Sequence, residues 1–218
     1  MKDRYSIAVG LIFLVLVVVA AINTIGGDGG ETLGLDQQES HWALPEFAVP
    51  AAPGQLEGDA NVAQDDCALA AVPCPEDARR TPACRIETPG ALRICDFFDR
   101  PLVISFWFTK GGSCAAQQDV VEAVHERYRD RVNFLSLDIR DDRDEVRELV
   151  RQHGWTMPVG YDRDGAVGGL YRVGVCPTFA YAYPGGTLQS SSFGELTAPQ
   201  LSSRVERLLA ATRSAQGE

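Results

Sequence analysis

The amino-acid sequence predicts an α/β domain built on a mixed sheet flanked by helices. Its 218 residues are 45% hydrophobic and 23% charged, a balance that supports a packed core and excludes a wholly disordered chain. Residues 101–153 follow the order strand, helix, strand, helix, which implies parallel strand pairing. Residues 178–209 follow the order strand, strand, helix, which adds an antiparallel hairpin to the same sheet.

The first half of the domain is predicted from hydrophobic periodicity. Residues 101–108 form a continuous apolar run rich in β-branched and aromatic side chains, which is typical of a buried central strand. A helix is predicted over 114–129, where apolar residues recur at helical spacing, and a second strand over 132–138. Residues 141–153 are predicted to form a second helix, which begins with acidic residues and ends at Gly154.

The second half is predicted from its turn and capping residues. Residues 178–183 and 188–193 are two strands joined by the sequence Pro-Gly-Gly at 184–186, whose glycines permit a tight reversal. Thr197 with Gln200 three positions later forms a capping box. A final helix with an apolar stripe is therefore expected after Thr197.

The N-terminal segment predicts a membrane anchor. Residues 5–27 carry no charged side chain, and about 20 apolar residues are enough to cross a bilayer. Lys2 and Arg4 precede the run and acidic residues follow it, so the positive-inside rule keeps the N-terminus in the cytoplasm and places the rest outside. We predict a single-pass anchor over 1–27, a flexible linker over 28–43 and an extracytoplasmic domain. A cleaved signal peptide is the alternative for this segment.

The main domain is predicted over 44–213, with a short tail over 214–218. It contains a Pro- and Ala-rich, cysteine-rich insertion over 64–96 that holds four of the six cysteines. These four are Cys67, Cys74, Cys84 and Cys95. Outside the cytoplasm two structural disulfides are expected among them, in any of three connectivities. A zinc site is the alternative, which the wide spacings and the lack of histidine among the cysteines disfavour.

Four stretches of sequence carry a resemblance to a known family. They are Val-Ile-Ser-Phe-Trp-Phe-Thr at 103–109, Phe-Leu-Ser-Leu-Asp at 134–138, Tyr-Asp-Arg-Asp-Gly at 161–165 and Val-Cys-Pro-Thr-Phe at 175–179. Through them the chain resembles the thioredoxin fold and, more narrowly, the membrane-anchored extracytoplasmic redoxins of the TlpA/ResA type. The resemblance implies that Pro177 with Thr178 forms the cis-proline loop that faces the redox site. Trp107 and Lys110 are predicted with them as substrate-binding or loop residues.

The active-site motif departs from the family pattern. That pattern has Trp-Cys-x-x-Cys after Phe-Trp-x-Thr, whereas residues 110–114 are Lys-Gly-Gly-Ser-Cys. Gly111 stands at the position of the attacking cysteine, and only the second cysteine, Cys114, remains. In the ordinary dithiol mechanism one thiolate attacks a disulfide and its neighbour resolves the product. That mechanism lacks its first thiolate here.

Cys114 and Cys176 are the candidate reactive residues. Cys114 begins a predicted helix, whose N–H groups and dipole favour a thiolate, and Lys110 adds positive charge nearby. Cys176 directly precedes Pro177, in the loop that the family fold places against the start of that helix. We predict that the two cysteines form a non-adjacent redox pair, provided that their Cα atoms lie within about 7 Å of each other. A permanent structural disulfide or two free thiols are the alternatives.

The leading predicted function is thiol–disulfide oxidoreduction on an extracytoplasmic protein substrate or redox partner, without a cofactor or a metal. A non-catalytic thioredoxin-fold module for binding or chaperone-like activity is the second interpretation. A peroxiredoxin-like thiol peroxidase is the third, although Trp107 and Gly111 stand where its Pro-x-x-x-Thr-x-x-Cys pattern needs proline and threonine. The net charge of −10 argues against nucleic-acid binding as the main function. The mixed-charge run 138–145 is predicted as a solvated helix start.

Overall fold

The computed structural model describes residues 42–56, 82–85, 87–109 and 114–217. All of them belong to one compact unit of the chain, Leu33–Glu218. The predicted anchor and nearly all of the predicted linker lie outside the described residues, as do Cys67, Cys74, Lys110 and Gly111. No helix in the described ranges has the length and apolar character that a membrane span requires.

Seven strands and four helices make up the described part of the domain. The strands are β1 (Ala48–Pro50), β2 (Ala91–Arg93), β3 (Leu102–Trp107), β4 (Asn133–Asp138), β5 (Val159–Tyr161), β6 (Thr178–Ala182) and β7 (Leu188–Phe193). The helices are α1 (Ala115–Tyr128), α2 (Arg143–His153), α3 (Ala166–Leu170) and α4 (Ala198–Gln216). Short 3-10 turns at Ala83–Arg85 and Ile94–Phe97 lie on either side of β2.

β3 is the central strand of a five-stranded mixed sheet with the order β5-β4-β3-β6-β7. It pairs in parallel with β4 and antiparallel with β6, and β6 pairs antiparallel with β7. All six residues of β3 are buried, as expected for the apolar run at 101–108. Gly185 and Gly186 turn the hairpin with positive φ values. The predicted mixed sheet flanked by helices is therefore confirmed.

Four short elements have no counterpart in the sequence prediction: β1, β2, β5 and α3. They are three to five residues long, too short to show a hydrophobic period. β1 and β2 pair antiparallel in a separate two-stranded sheet. Because β2 lies within the segment 64–96 predicted as an insertion, the end of that segment is an integral part of the folded domain.

The last helix matches its predicted start and continues past residue 213, where the domain is predicted to end. Thr197 and Gln200 form the capping box at its N-terminus. α4 then continues to Gln216, through part of the segment 214–218 predicted as a tail. The reason is local, since this stretch contains good helix formers and meets no helix breaker before Gly217.

Apolar side chains pack on both faces of the sheet. α1 and α4 cover one face with a row of buried aliphatic residues: Val121, Val124, Leu201, Val205 and Leu208. On the other face the fully buried Tyr171 is the centre of an aromatic cluster. Its ring centroid lies 5.8, 5.7 and 5.1 Å from those of Trp42, Phe47 and Phe106. This cluster attaches the first described residues of the chain to the sheet.

The carboxyl ends of β3 and β4 and the amino end of β6 meet at one edge of the sheet. The register pairs Phe106 of β3 with Thr178 of β6. The chain that leaves β3 leads to Cys114 and α1, and the chain that enters β6 contains Cys176 and Pro177. The topology therefore brings both predicted reactive cysteines to the same edge.

Candidate redox site

Cys114 and Cys176 are joined in a disulfide at this edge of the sheet. Their Cα atoms are 6.0 Å apart, although the residues are separated by 62 positions in sequence. Cys114 is the N-cap residue of α1. Cys176 precedes Pro177, and the peptide bond between them is cis. The predicted proximity of the two cysteines and the predicted cis-proline are both observed.

The two cysteines differ in exposure. Cys114 is only 5% exposed and belongs to the core between α1 and the sheet, whereas Cys176 is half-buried. The Sγ atom of Cys176 lies 3.7 Å from the carbonyl oxygen of Phe108, close enough for a reduced thiol to donate a weak hydrogen bond. Cys176 is therefore the more accessible of the two sulfur-bearing residues.

The start of α1 favours a thiolate at Cys114. The helix is 14 residues long and has no acidic residue in its first turn. The first backbone N–H groups of a helix and its dipole stabilise negative charge at the N-cap position. The start of α1 would therefore stabilise Cys114 as a leaving thiolate if the disulfide were opened.

A buried chain of hydrogen bonds fixes α1 to the sheet below the disulfide. Trp107 Nε1 donates to Ser136 Oγ at 2.8 Å, and Ser136 Oγ donates to Gln118 Oε1 at 2.9 Å. Gln118 Nε2 in turn donates to Ser105 Oγ at 3.0 Å. Trp107 is completely buried, because its position in β3 directs the ring into the core under α1. It packs beneath the site and does not line it, in contrast to its predicted role as a substrate-binding or loop residue.

Two large apolar side chains are exposed next to the disulfide. Val175, directly before Cys176, is 43% exposed, and Phe193 is 52% exposed. Phe193 pairs with Thr178, and the N–H that follows Phe193 donates to the carbonyl of Pro177 at 2.9 Å. Pro177 and Thr178 are themselves buried, and Thr178 Oγ1 donates to the carbonyl of Val175 at 2.6 Å. Pro177 and Thr178 thus lie beneath this surface. Val175 and Phe193, to which the sequence analysis assigns no role, expose their side chains to solvent.

A buried pair of carboxyl groups lies where the chain leaves β4. Asp138 is completely buried and Asp141 is 2% exposed. Oδ1 of Asp138 accepts the N–H of Asp141 at 2.9 Å, while Oδ2 accepts no hydrogen bond from a described residue. Asp141 Oδ2 accepts the N–H of Thr109, the last described residue before Cys114, at 2.5 Å. Burial, and after it the neighbouring Asp141 carboxyl, raises the pKa of Asp138 to about 8.

The prediction of a solvated helix start over 138–145 is therefore wrong for its first residues. Asp142, Asp144 and Glu145 are exposed as predicted, but Asp138 ends a strand whose last five residues are buried. The signal available in the sequence is the position of this aspartate, directly after the apolar residues of a buried strand. Burial of the carboxyl group in that position raises the pKa of Asp138.

We expect the Asp138→Asn variant to lose part of the pH dependence of stability. The pKa of Asp138 is about 8 in the folded protein and about 3.9 in the unfolded chain, so the folded state binds the extra proton between these values. The stability present at low pH is therefore lost as the pH rises to about 8, by at most about 1.4 kcal/mol per pH unit. Urea unfolding between about pH 5 and about pH 8 measures the slope. The exposed Asp130→Asn is the control, and equal slopes for Asp138→Asn and the wild type would contradict the assignment.

Cys84 and Cys95 form the second described disulfide, with Cα atoms 5.7 Å apart. The N–H of Cys84 donates to Glu46 Oε2 at 3.1 Å. Glu46 and the two sulfur atoms lie within 4.8 Å of one another, which is the kind of cluster that the zinc alternative requires. Both sulfur atoms are used in the disulfide. Cys67 and Cys74 lie outside the described residues.

Comparisons of sequence identify distant relatives with thiol–disulfide chemistry. No protein-family model matches the chain. It is 23% identical over 113 residues to the thiol-disulfide oxidoreductase ResA of Oceanobacillus iheyensis, covering 51% of this chain and 59% of that protein. It is 25% identical over 119 residues to the thiol-disulfide oxidoreductase YkuV of Bacillus subtilis, covering 52% of this chain and 80% of that protein. The chain thus spans less than two thirds of the length of its ResA relative.

Comparison of structures extends the similarity over most of the chain. The crystal structure of a DsbF homologue from Corynebacterium diphtheriae superposes with a TM-score of 0.57 at 16% identity. The superposition covers 83% of this chain and 96% of the other. At this level of identity the likeness establishes the fold, which is thioredoxin-like.

Proposed function

We propose that this thioredoxin-like protein, which is similar to the ResA-type redoxins, is a thiol–disulfide oxidoreductase that works through Cys114 and Cys176. The disulfide between these residues carries the proposal, because it lies at a helix start and a cis-proline, beside the exposed Val175 and Phe193. The pair does across two loops what a Cys-x-x-Cys motif does within one. Glycine at position 111 is therefore compatible with exchange chemistry.

The difference in exposure assigns the order of bond changes. A substrate thiolate attacks Sγ of Cys176, and the bond between the two protein sulfurs breaks. Cys114 leaves as a thiolate stabilised by the start of α1, and the substrate is held on Cys176 in a mixed disulfide. A second substrate thiolate attacks the substrate sulfur of that mixed disulfide and releases Cys176. Two electrons pass from the substrate dithiol to the protein, and the substrate protons go to solvent or to the new protein thiols.

The reduced protein runs the same steps in the opposite direction. The Cys176 thiolate attacks a substrate disulfide and forms a mixed disulfide, with one substrate thiolate as leaving group. Cys114 then attacks Sγ of Cys176, which re-forms the protein disulfide and releases the reduced substrate. The reduction potential of the pair relative to that of its partner decides the direction.

The proposed substrate is a protein thiol or disulfide presented in an extended segment outside the cytoplasm. Such a segment lies along Val175 and Phe193 beside Pro177, where apolar contacts and backbone pairing hold it. The anchor proposed for residues 1–27 tethers the domain to the outer side of the cytoplasmic membrane. The uncharged run and the basic residues before it support this location.

A single-turnover experiment tests the proposed function. The oxidised full-length protein in detergent is mixed with a reduced dithiol peptide, and after an acid quench the thiols are alkylated and located by mass spectrometry. We expect formation of a peptide disulfide to match the appearance of thiols at Cys114 and Cys176. If these two residues yield no thiols with excess peptide, the proposal fails and the non-catalytic module with a fixed bridge is favoured.

A further inference from the structure

A cavity of about 390 Å³ opens beside the redox site, between the end of β4 and the chain that leads to the cis-proline. Its lining includes Arg140, Arg163, Asp164 and Val173. Both arginine side chains are exposed, and within the described part of the chain neither forms a salt bridge. Two guanidinium groups and one carboxylate line this cavity. A second carboxyl group, that of the buried Asp162, lies behind the lining, and its Oδ2 accepts the N–H of Gly168 at 2.9 Å.

Packing connects the cavity to Cys176. The guanidinium carbon of Arg140 lies 4.8 Å from the centroid of the Phe108 ring, and the carbonyl oxygen of Phe108 lies 3.7 Å from Sγ of Cys176. Val173 lines the cavity and precedes Cys176 by three positions, which is at most about 10 Å of extended chain. An extended substrate advances about 3.3 Å per residue. A substrate whose sulfur meets Cys176 therefore reaches the cavity with a side chain about three residues away.

We propose that this cavity binds a carboxylate side chain of the substrate, so that the enzyme prefers protein segments with an acidic residue about three positions from the reacting cysteine. The inference rests on the proposed thiol–disulfide exchange at Cys176. Guanidinium groups bind carboxylates through paired hydrogen bonds, and the Phe108 ring supports Arg140 through a cation–π contact. The Asp164 carboxylate already accepts a hydrogen bond within the protein, since its Oδ1 accepts the N–H of Ala166 at 3.0 Å.

The cavity at the start of α1 lacks this charge pattern. It has a volume of about 350 Å³, and its lining includes Val120, Leu196 and Glu195 without an arginine or lysine. A substrate carboxylate bound there would lie near the Glu195 carboxylate, and no cationic side chain lines the cavity. The charge difference between the two cavities therefore predicts on which side of the disulfide the acidic residue of the substrate lies.

Peptide binding to the full-length oxidised protein tests the inference. The probe is a fluorescein-labelled peptide with serine in place of its cysteine and glutamate three positions away, and its partner peptide has glutamine instead. By fluorescence anisotropy at low salt we expect the glutamate peptide to bind about tenfold more tightly, as for a charge-assisted hydrogen-bonded pair. The double variant Arg140→Gln, Arg163→Gln should remove this preference. The double variant Arg207→Gln, Arg213→Gln removes two exposed charges on α4, away from the cavity, and should keep it.

Equal binding of the two peptides would overturn the inference, as would a preference that survives in the Arg140→Gln, Arg163→Gln variant. Displacement of the peptide by free acetate at an equal carboxylate concentration would also overturn it, because the cavity would then be a general anion site. These peptides carry no thiol, so their binding is independent of exchange chemistry. The single-turnover experiment on the Arg140→Gln, Arg163→Gln variant reports that chemistry separately.

Discussion

The Cys114→Ser variant is expected to trap the substrate on Cys176. Without the Cys114 thiolate the mixed disulfide cannot be resolved from within the protein, and turnover should fall to the uncatalysed rate in the same buffer. The reduced variant is incubated with a disulfide-containing peptide, and the adduct is located by mass spectrometry under non-reducing conditions. We expect close to one peptide per protein, attached at Cys176.

The Cys176→Ser variant is the matched control. It loses turnover to the same extent, but the remaining cysteine of the pair, Cys114, is only 5% exposed and should form little adduct. Comparison of the two variants thus shows whether the half-buried Cys176 or the buried Cys114 reacts with the peptide. Equal trapping in both variants, or trapping at Cys114 alone, would contradict the order of steps that the burial of the two cysteines implies.

The Tyr171→Ala variant should destabilise the domain by about 3–5 kcal/mol, the usual cost of removing a large buried aromatic side chain. Tyr171 contacts Trp42, Phe47 and Phe106, and its hydroxyl donates to the carbonyl of Pro45 at 2.8 Å. Its removal leaves a cavity between the sheet and the first described residues. Urea unfolding with the disulfides intact measures the free energy of unfolding.

The Tyr171→Phe variant separates packing from hydrogen bonding. It keeps the ring and removes the hydroxyl that donates to the carbonyl of Pro45, so a loss of about 1 kcal/mol is expected. A Tyr171→Ala variant within about 1 kcal/mol of the wild type would show that the aromatic cluster is not part of the cooperative core.

The regular elements are predictable where the sequence gives a long enough pattern. The buried run at 101–108, the hairpin around 184–186 and the capping box at Thr197 each correspond to an observed element. β1, β2 and β5 are too short for a period, and contacts from distant parts of the chain define them. Ala51, for example, bridges to Gly160, more than a hundred positions away.

The candidate site is predictable in its sulfur atoms and less so in its surroundings. The resemblance to the thioredoxin fold places Cys176 before a cis-proline, and the helix pattern places Cys114 at the start of α1. The raised pKa of Asp138 depends on burial and on Asp141, which periodicity does not report. The cavity beside the site likewise depends on Arg140 and Arg163, which are 23 positions apart in sequence and line the same space. Neither feature has a local motif.

The reduction potential of the Cys114–Cys176 disulfide tests the central claim most directly. The native protein is equilibrated in buffers of graded thiol–disulfide ratio, and each disulfide is quantified by differential alkylation and peptide mapping. A pair that exchanges with substrates is expected to have a reduction potential above about −300 mV, and Cys84–Cys95, which we expect to be structural, is quantified in the same samples for comparison. A Cys114–Cys176 linkage that stays closed well below about −300 mV would contradict the account.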